Sequence, residues 1–166
     1  MNEKQRVAVY LRVGGSGDVK AACKKQKEHF TAMLAKNEGC ELVGFYPDLG
    51  LESRTQPNLE RLLADCRAGR VDLVVTKSTS RLSRSFPAVM ETVRKLHYSK
   101  PPIGVYFEDV DINTLEPNNF LLLSMFEAML ANEDGAKKSM PRTFSAFLKM
   151  KKKTSETNTE EDADDE

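Results

Sequence analysis

The chain has 166 residues, of which 40% are hydrophobic and 30% charged; that allows one good core, leaves little for a second, and describes an ordinary soluble globular protein. No apolar run approaches membrane-spanning length, and the opening MNEKQRVAVY lacks the basic-then-apolar pattern of an export signal, so the protein is expected inside the cell, in cytoplasm or nucleus. A formal net charge of zero hides a split: residues 154–166 hold seven acids and no base, leaving 25 basic and 18 acidic side chains in residues 1–153. A basic body of this kind suits a polyanion such as DNA. The three cysteines (Cys23, Cys40, Cys66) form no CxxC pair, and His29 and His97 lie outside any metal-ligand spacing, so reduced thiols and no metal site are expected.

In chain order, residues 6–12 (RVAVYLR) read as a β-strand ended by Gly14, Gly15 and Gly17. Residues 18–36 read as a helix with Asp18 as N-cap, with Cys23, Phe30, Met33 and Leu34 near one face. Residues 40–46 (CELVGFY) are a second strand, followed by a polar loop to Gln56. Pro57 then opens a helix with an apolar stripe of Leu59, Leu62, Leu63 and Cys66, closed by Gly69. Residues 71–77 (VDLVVTK) form a third strand, apolar enough to be central. A polar loop over 78–85 leads to a helix over 87–98. Pro101 and Pro102 reset the chain for a fourth strand at 103–107. Residues 120–131 form the most apolar helix, with a stripe wider than one domain face needs, which points to a buried or shared helix. Gly135 and Pro141 interrupt the chain beyond that helix, and residues 143–153 form a final basic helix. Strands alternating with helices predict an α/β fold: a mostly parallel sheet of four or five strands with helices on both faces, plus a long C-terminal helix. The expected divisions are a domain over 1–135, a basic helical appendage over 136–153, and an acidic disordered tail over 154–166.

Four stretches, in this order, resemble the resolvase/invertase family of serine site-specific recombinases. They are Tyr10-Leu11-Arg12-Val13-Gly14; Asp48-Leu49-Gly50 with Pro57-Asn58-Leu59 and Leu62-Leu63; Asp72-Leu73-Val74-Val75 leading to Lys77-Ser78-Thr79-Ser80-Arg81-Leu82-Ser83-Arg84; and Phe107-Glu108 before a long apolar helix. The likeness spans roughly residues 6–133, and the third stretch is the most specific. It implies a resolvase catalytic-domain fold and a reaction in which a serine hydroxyl attacks a DNA phosphodiester without metal or cofactor. Arginines then neutralise the phosphate, because guanidinium presents a planar, permanently charged fork. By the same resemblance Arg12, Arg81 and Arg84 match arginines that do this work, Gln26 matches a polar site residue, and Glu108 is a candidate to orient an arginine. The arginines of the third stretch also follow a buried strand, where α/β sheets place their ligands.

The departures are as informative. Gly14 stands at the nucleophile position and has no oxygen to attack with. Ser16 is a candidate substitute, but two residues shift a hydroxyl by several ångströms, and an ångström of misplacement can cost about a hundredfold in rate. Gln56 stands where the resemblance implies a phosphate-binding arginine; Arg54 is a candidate for the same space, and Glu52 or Ser53 falls near a loop position that is usually serine. Ser80 replaces an aspartate common before Arg-Leu. Glu133-Asp134 and then Gly135 end the long helix early, and no compact DNA-reading module fits after it.

The favoured expectation is a catalytically inactive serine-recombinase-like domain that binds DNA backbone weakly and without sequence preference, or pairs with itself or with an intact recombinase through residues 120–133. Lys149, Lys151, Lys152 and Lys153 are candidate phosphate contacts. The alternative is an active strand-cleaving recombinase or integrase that uses Ser16 or a serine normally present at position 14. A third reading, a nucleotide phosphate cradled by Gly14-Gly15-Ser16-Gly17, matches neither known glycine-loop spacing.

Overall fold

In a computed structural model, backbone is described for residues 3–132 and 143–161, and side chains as far as 153. Gly135, Pro141, the Glu133-Asp134 pair and residues 162–166 lie outside the described residues.

The chain builds β1 (Gln5–Val13), α1 (Val19–Ala35), β2 (Cys40–Leu49), a 3-10 turn (Gly50–Ser53), α2 (Pro57–Arg67), β3 (Leu73–Thr76), a one-turn α3 (Thr79–Leu82), α4 (Phe86–His97), β4 (Gly104–Phe107), a second 3-10 turn (Glu108–Val110), β5 (Ile112–Asn113), α5 (Pro117–Ala131) and α6 (Phe144–Glu161). Five strands form one sheet in the order β2-β1-β3-β4-β5. The first four run parallel, and β5 pairs antiparallel to β4. The α/β expectation and its mostly parallel sheet therefore hold.

Strand order fixes the layers. Crossovers between parallel strands are right-handed. The step from β1 out to β2 runs opposite to the steps into β3 and β4, so α1 covers one face while α2 and α4 cover the other. Side chains confirm this for α1: Val7, Val9, Leu11 and Val13 cluster with its Cys23 and Phe30 and with Leu73 and Val75 of β3. Alternation along the strand then turns Ala8, Tyr10 and Arg12 to the α2 face. All three thiols are free, Cys23 and Cys66 in buried positions and Cys40 half-buried.

Local signals account for most element ends. Asp18 caps α1 by accepting from Ala21 N at 3.0 Å, and Pro57 starts α2. The cap of α2 is the exception. Gln56, just before it, adopts a left-handed backbone (φ 52°) and makes no side-chain cap. The buried carboxylate of Asp48 reaches over from β2 instead, taking Asn58 N at 2.9 Å and Leu59 N at 3.1 Å. Two elements fall where a plain loop was expected, α3 within 78–85 and β5 after residue 107. Both are too short and polar to show a period.

Two compact units divide the chain, one ending at Phe120 and the other starting at Leu121. The boundary thus falls inside α5 rather than near residue 135. In the second unit Phe126 packs on Phe147 (5.2 Å between ring centroids) and Phe144 (5.4 Å). Helix α6 continues to Glu161, through positions where charge alone had indicated a disordered tail.

Candidate phosphate site

The strand order reverses direction between β1 and β3, and open α/β sheets bind their ligands beyond the carboxyl ends of the strands at such a point. There β1 delivers Arg12, and the segment after β3 delivers Arg81 and Arg84. A buried network holds this end of the sheet together. The Tyr10 hydroxyl donates to Asp48 Oδ2 at 2.9 Å. Gln56 Nε2 donates to Tyr10 Oη at 2.9 Å and to the Leu82 carbonyl at 2.8 Å. Gln56 therefore ties β1, α2 and the Arg81-bearing turn together, at the position where the resemblance implied an arginine. Burial, above all, pushes the Tyr10 phenol well up, so it stays a neutral donor.

Arg81 donates from Nη1 to the Arg12 carbonyl at 3.0 Å. Its Nε is buried without a hydrogen-bond partner. Burial holds the Arg12 guanidinium below its ordinary value; the charges of Arg84 and Arg81 push the same way, opposed by Tyr10 and Asp48. Among the described residues no carboxylate forms an ion pair with Arg12, Arg81 or Arg84. Three cations thus converge with donors to spare, and an anion would relieve their mutual repulsion.

The other candidates are more dispersed. Arg54 is exposed directly after the Gly50–Ser53 turn. Gly14, Gly15, Ser16 and Gly17 form an exposed loop between β1 and α1. A Cβ built on Gly14 meets Ser53 Oγ at 3.3 Å. Gln26 sits on α1. It lines a recess of about 270 Å³ with Lys25, His29, Phe30, Lys77 and Glu108, on the α1 side of the sheet. There Glu108 contacts His29 Nε2 at 2.5 Å, so its carboxylate is engaged by α1 and does not orient an arginine. Lys151 is exposed on α6, in the second unit. A groove of about 440 Å³ between α2 and α4 has a mixed lining, with Leu59, Leu63, Leu96 and Ile103 beside Glu60, Arg67, Glu91 and Lys95. The sequence reading missed the Asp48 cap and the His29–Glu108 pair: Asp48 and Glu108 lie in the motif stretches, but nothing in those stretches names the amides of α2 or His29 as their partners.

The chain matches the family described as "Resolvase, N terminal domain" over residues 7–153. No curated protein sequence matches it. Among solved structures it is similar to the N-terminal catalytic domain of TP901-1 integrase, with 23% identity and a TM-score of 0.61, covering 78% of this chain and 97% of that one. It is similar also to a resolvase family site-specific recombinase from Streptococcus pneumoniae, with 21% identity and a TM-score of 0.61, covering 95% of each chain. The C-terminal catalytic domain of ISC1926 TnpA, an IS607-like serine recombinase, is similar at 22% identity and a TM-score of 0.50, covering 90% of this chain and 97% of that one. The chain belongs to the resolvase family, whose N-terminal domain is the catalytic domain of serine recombinases. Among the described residues no helix is long and apolar enough to cross a membrane.

Proposed function

We propose that this protein grips the DNA backbone with Arg12, Arg81 and Arg84, and that the route of attack from position 14 is closed. The observation that carries the reading is the uncompensated cluster: three guanidiniums at a sheet's switch point, one already depressed by burial and by its neighbours, and none in ion-pair contact with a described carboxylate. A phosphodiester supplies the missing charge. Arg54 and the lysines of α6, Lys151 included, add phosphate contacts of the non-specific kind. With glycine at position 14 the grip serves binding, to DNA or alongside an intact recombinase. Self-association or pairing with such a partner is favoured by Leu121 and Met125, one turn apart on α5 and 57% and 40% exposed.

The test is an electrophoretic mobility shift with linear duplex DNA across a salt series. A shift at low salt that fades steeply as salt rises, and weakens in Arg81→Ala, supports the reading. No shift at low salt eliminates it.

A further inference from the structure

Position 14 lacks a hydroxyl, yet a hydroxyl stands beside it. The pairing of β1 with β2 continues to Val13 opposite Leu49, so the residues that leave the two strands emerge side by side. Leu49 runs into the Gly50–Ser53 turn, which Gly50 permits by adopting a left-handed backbone (φ 58°). Ser53 Oγ ends that turn 3.3 Å from where a residue-14 Cβ would stand. It is half-buried and donates to the Gly50 carbonyl at 2.6 Å. That bond commits its single proton to the turn and leaves the oxygen lone pairs free for another partner.

The turn is anchored on both sides. Asp48, two residues before it, is pinned by Tyr10 and by the first amides of α2. After it, Arg54 N bonds Leu51 O and Gln56 N bonds Glu52 O. Ser16 has neither advantage. It is exposed, has no hydrogen bond among the described residues, and lies two peptide units along a glycine loop, up to about 7 Å from residue 14 in Cα position.

We propose that Ser53 supplies the attacking hydroxyl that residue 14 lacks, giving this chain a slow DNA-cleaving activity in addition to binding. In the step, a bond forms between Ser53 Oγ and the phosphorus of a backbone phosphodiester as one phosphorus–sugar oxygen bond breaks. The serine proton leaves its bond to the Gly50 carbonyl and passes through water to the departing sugar oxygen, so a phosphoserine ester and a free sugar hydroxyl are the products. No oxidant, reductant or metal enters the balance. The arginine cluster stabilises the charge on the non-bridging oxygens. The proposal rests on the reading of that cluster as a phosphate grip.

The full chain is incubated with supercoiled plasmid and, separately, with a duplex whose nick lets the severed fragment diffuse away and so traps the ester. Adducts are resolved on denaturing gels and their peptides mapped by mass spectrometry, with mobility shifts run in parallel. The expected result is a covalent adduct on Ser53 that falls at least tenfold in Ser53→Ala and is partly retained in Ser53→Thr, which keeps the hydroxyl. Both variants should shift DNA as the native chain does, which also reports that they fold. A mobility shift without any adduct, or an adduct mapped to Ser16, overturns the proposal and leaves the binding reading standing. Loss of both shift and adduct in the native chain overturns the two together.

Discussion

Strand β1 carries an arginine near each end, and the two have opposite surroundings. At the lower end Arg6 grips Asp72 with two parallel bonds, Nε to Oδ2 at 2.9 Å and Nη2 to Oδ1 at 2.7 Å, and its backbone N–H adds a third at 2.8 Å. The hydrogen bond to Asp72 raises the Arg6 guanidinium above its ordinary value and draws the Asp72 carboxyl below its own. At the upper end Arg12 has burial and two further arginines beside it, and its value moves down. One residue type on one strand thus serves twice: a compensated pair joins β1 to β3, and an uncompensated cluster waits for an anion. The difference teaches that charge count alone identifies neither; the partner does.

The largest effect should come from the scaffold under the cluster. Asp48→Ala removes two amide caps and the partner of a buried phenol, and should cost about 3 kcal/mol in chemical denaturation. A loss near zero would mean the upper end does not depend on this network. Next, Arg12→Ala or Arg81→Ala should weaken duplex binding by about tenfold at low salt and lower the log–log salt slope by about one. In Arg12→Ala thermal stability should be unchanged or raised, since a like charge has been removed, whereas Arg81→Ala also loses its bond to the Arg12 carbonyl; a fall in Arg12→Ala resembling that of a broken ion pair would erase the contrast between the two ends.

Asp72→Asn should do the reverse, lowering Tm by a few degrees at neutral pH without altering the mobility shift. Its pH dependence sharpens the contrast. The folded carboxyl titrates below the unfolded value of about 3.9, so the stability it contributes is fully present above that value and is lost as pH falls through the folded one. Native and variant melting curves should therefore differ at pH 7 and draw together as pH falls below the unfolded value. A gap that persists in acid would assign the effect to packing. The smallest effect belongs to Gly14→Ser. No left-handed backbone is required at 14, and the nearest described atom outside its own segment is the Ser53 hydroxyl, so the cost should be within about 0.5 kcal/mol. A larger loss would mean that the 14–53 approach is closed to any side chain.

Four strands and their intervening helices were legible in the sequence, because buried faces impose a period of two or of 3.6 on apolar residues. Arg12, Arg81 and Arg84 stood out through their motifs, Arg12 near the end of β1 and the other two after β3. Gln26 matches a site residue by resemblance, and the fold sets it on α1 in a recess with Lys77 and Glu108, neighbours that no spacing in the sequence announces. Gln56, read as a loss, bridges Tyr10 to the Leu82 carbonyl. Helix α3 and strand β5 left no trace because their stability comes from neighbours and not from local pattern.

The sequence by itself determined the alternation of elements, the basic body, the arginines at the end of β1 and after β3, and the absence of an oxygen at position 14, since each is a property of local residues and their spacing. Only the tertiary structure decided which arginines are answered by a carboxylate and which are not, and that Ser53 comes to stand beside Gly14. Those facts depend on strand register and on a turn that joins residues far apart in the chain, and no local pattern records such distances.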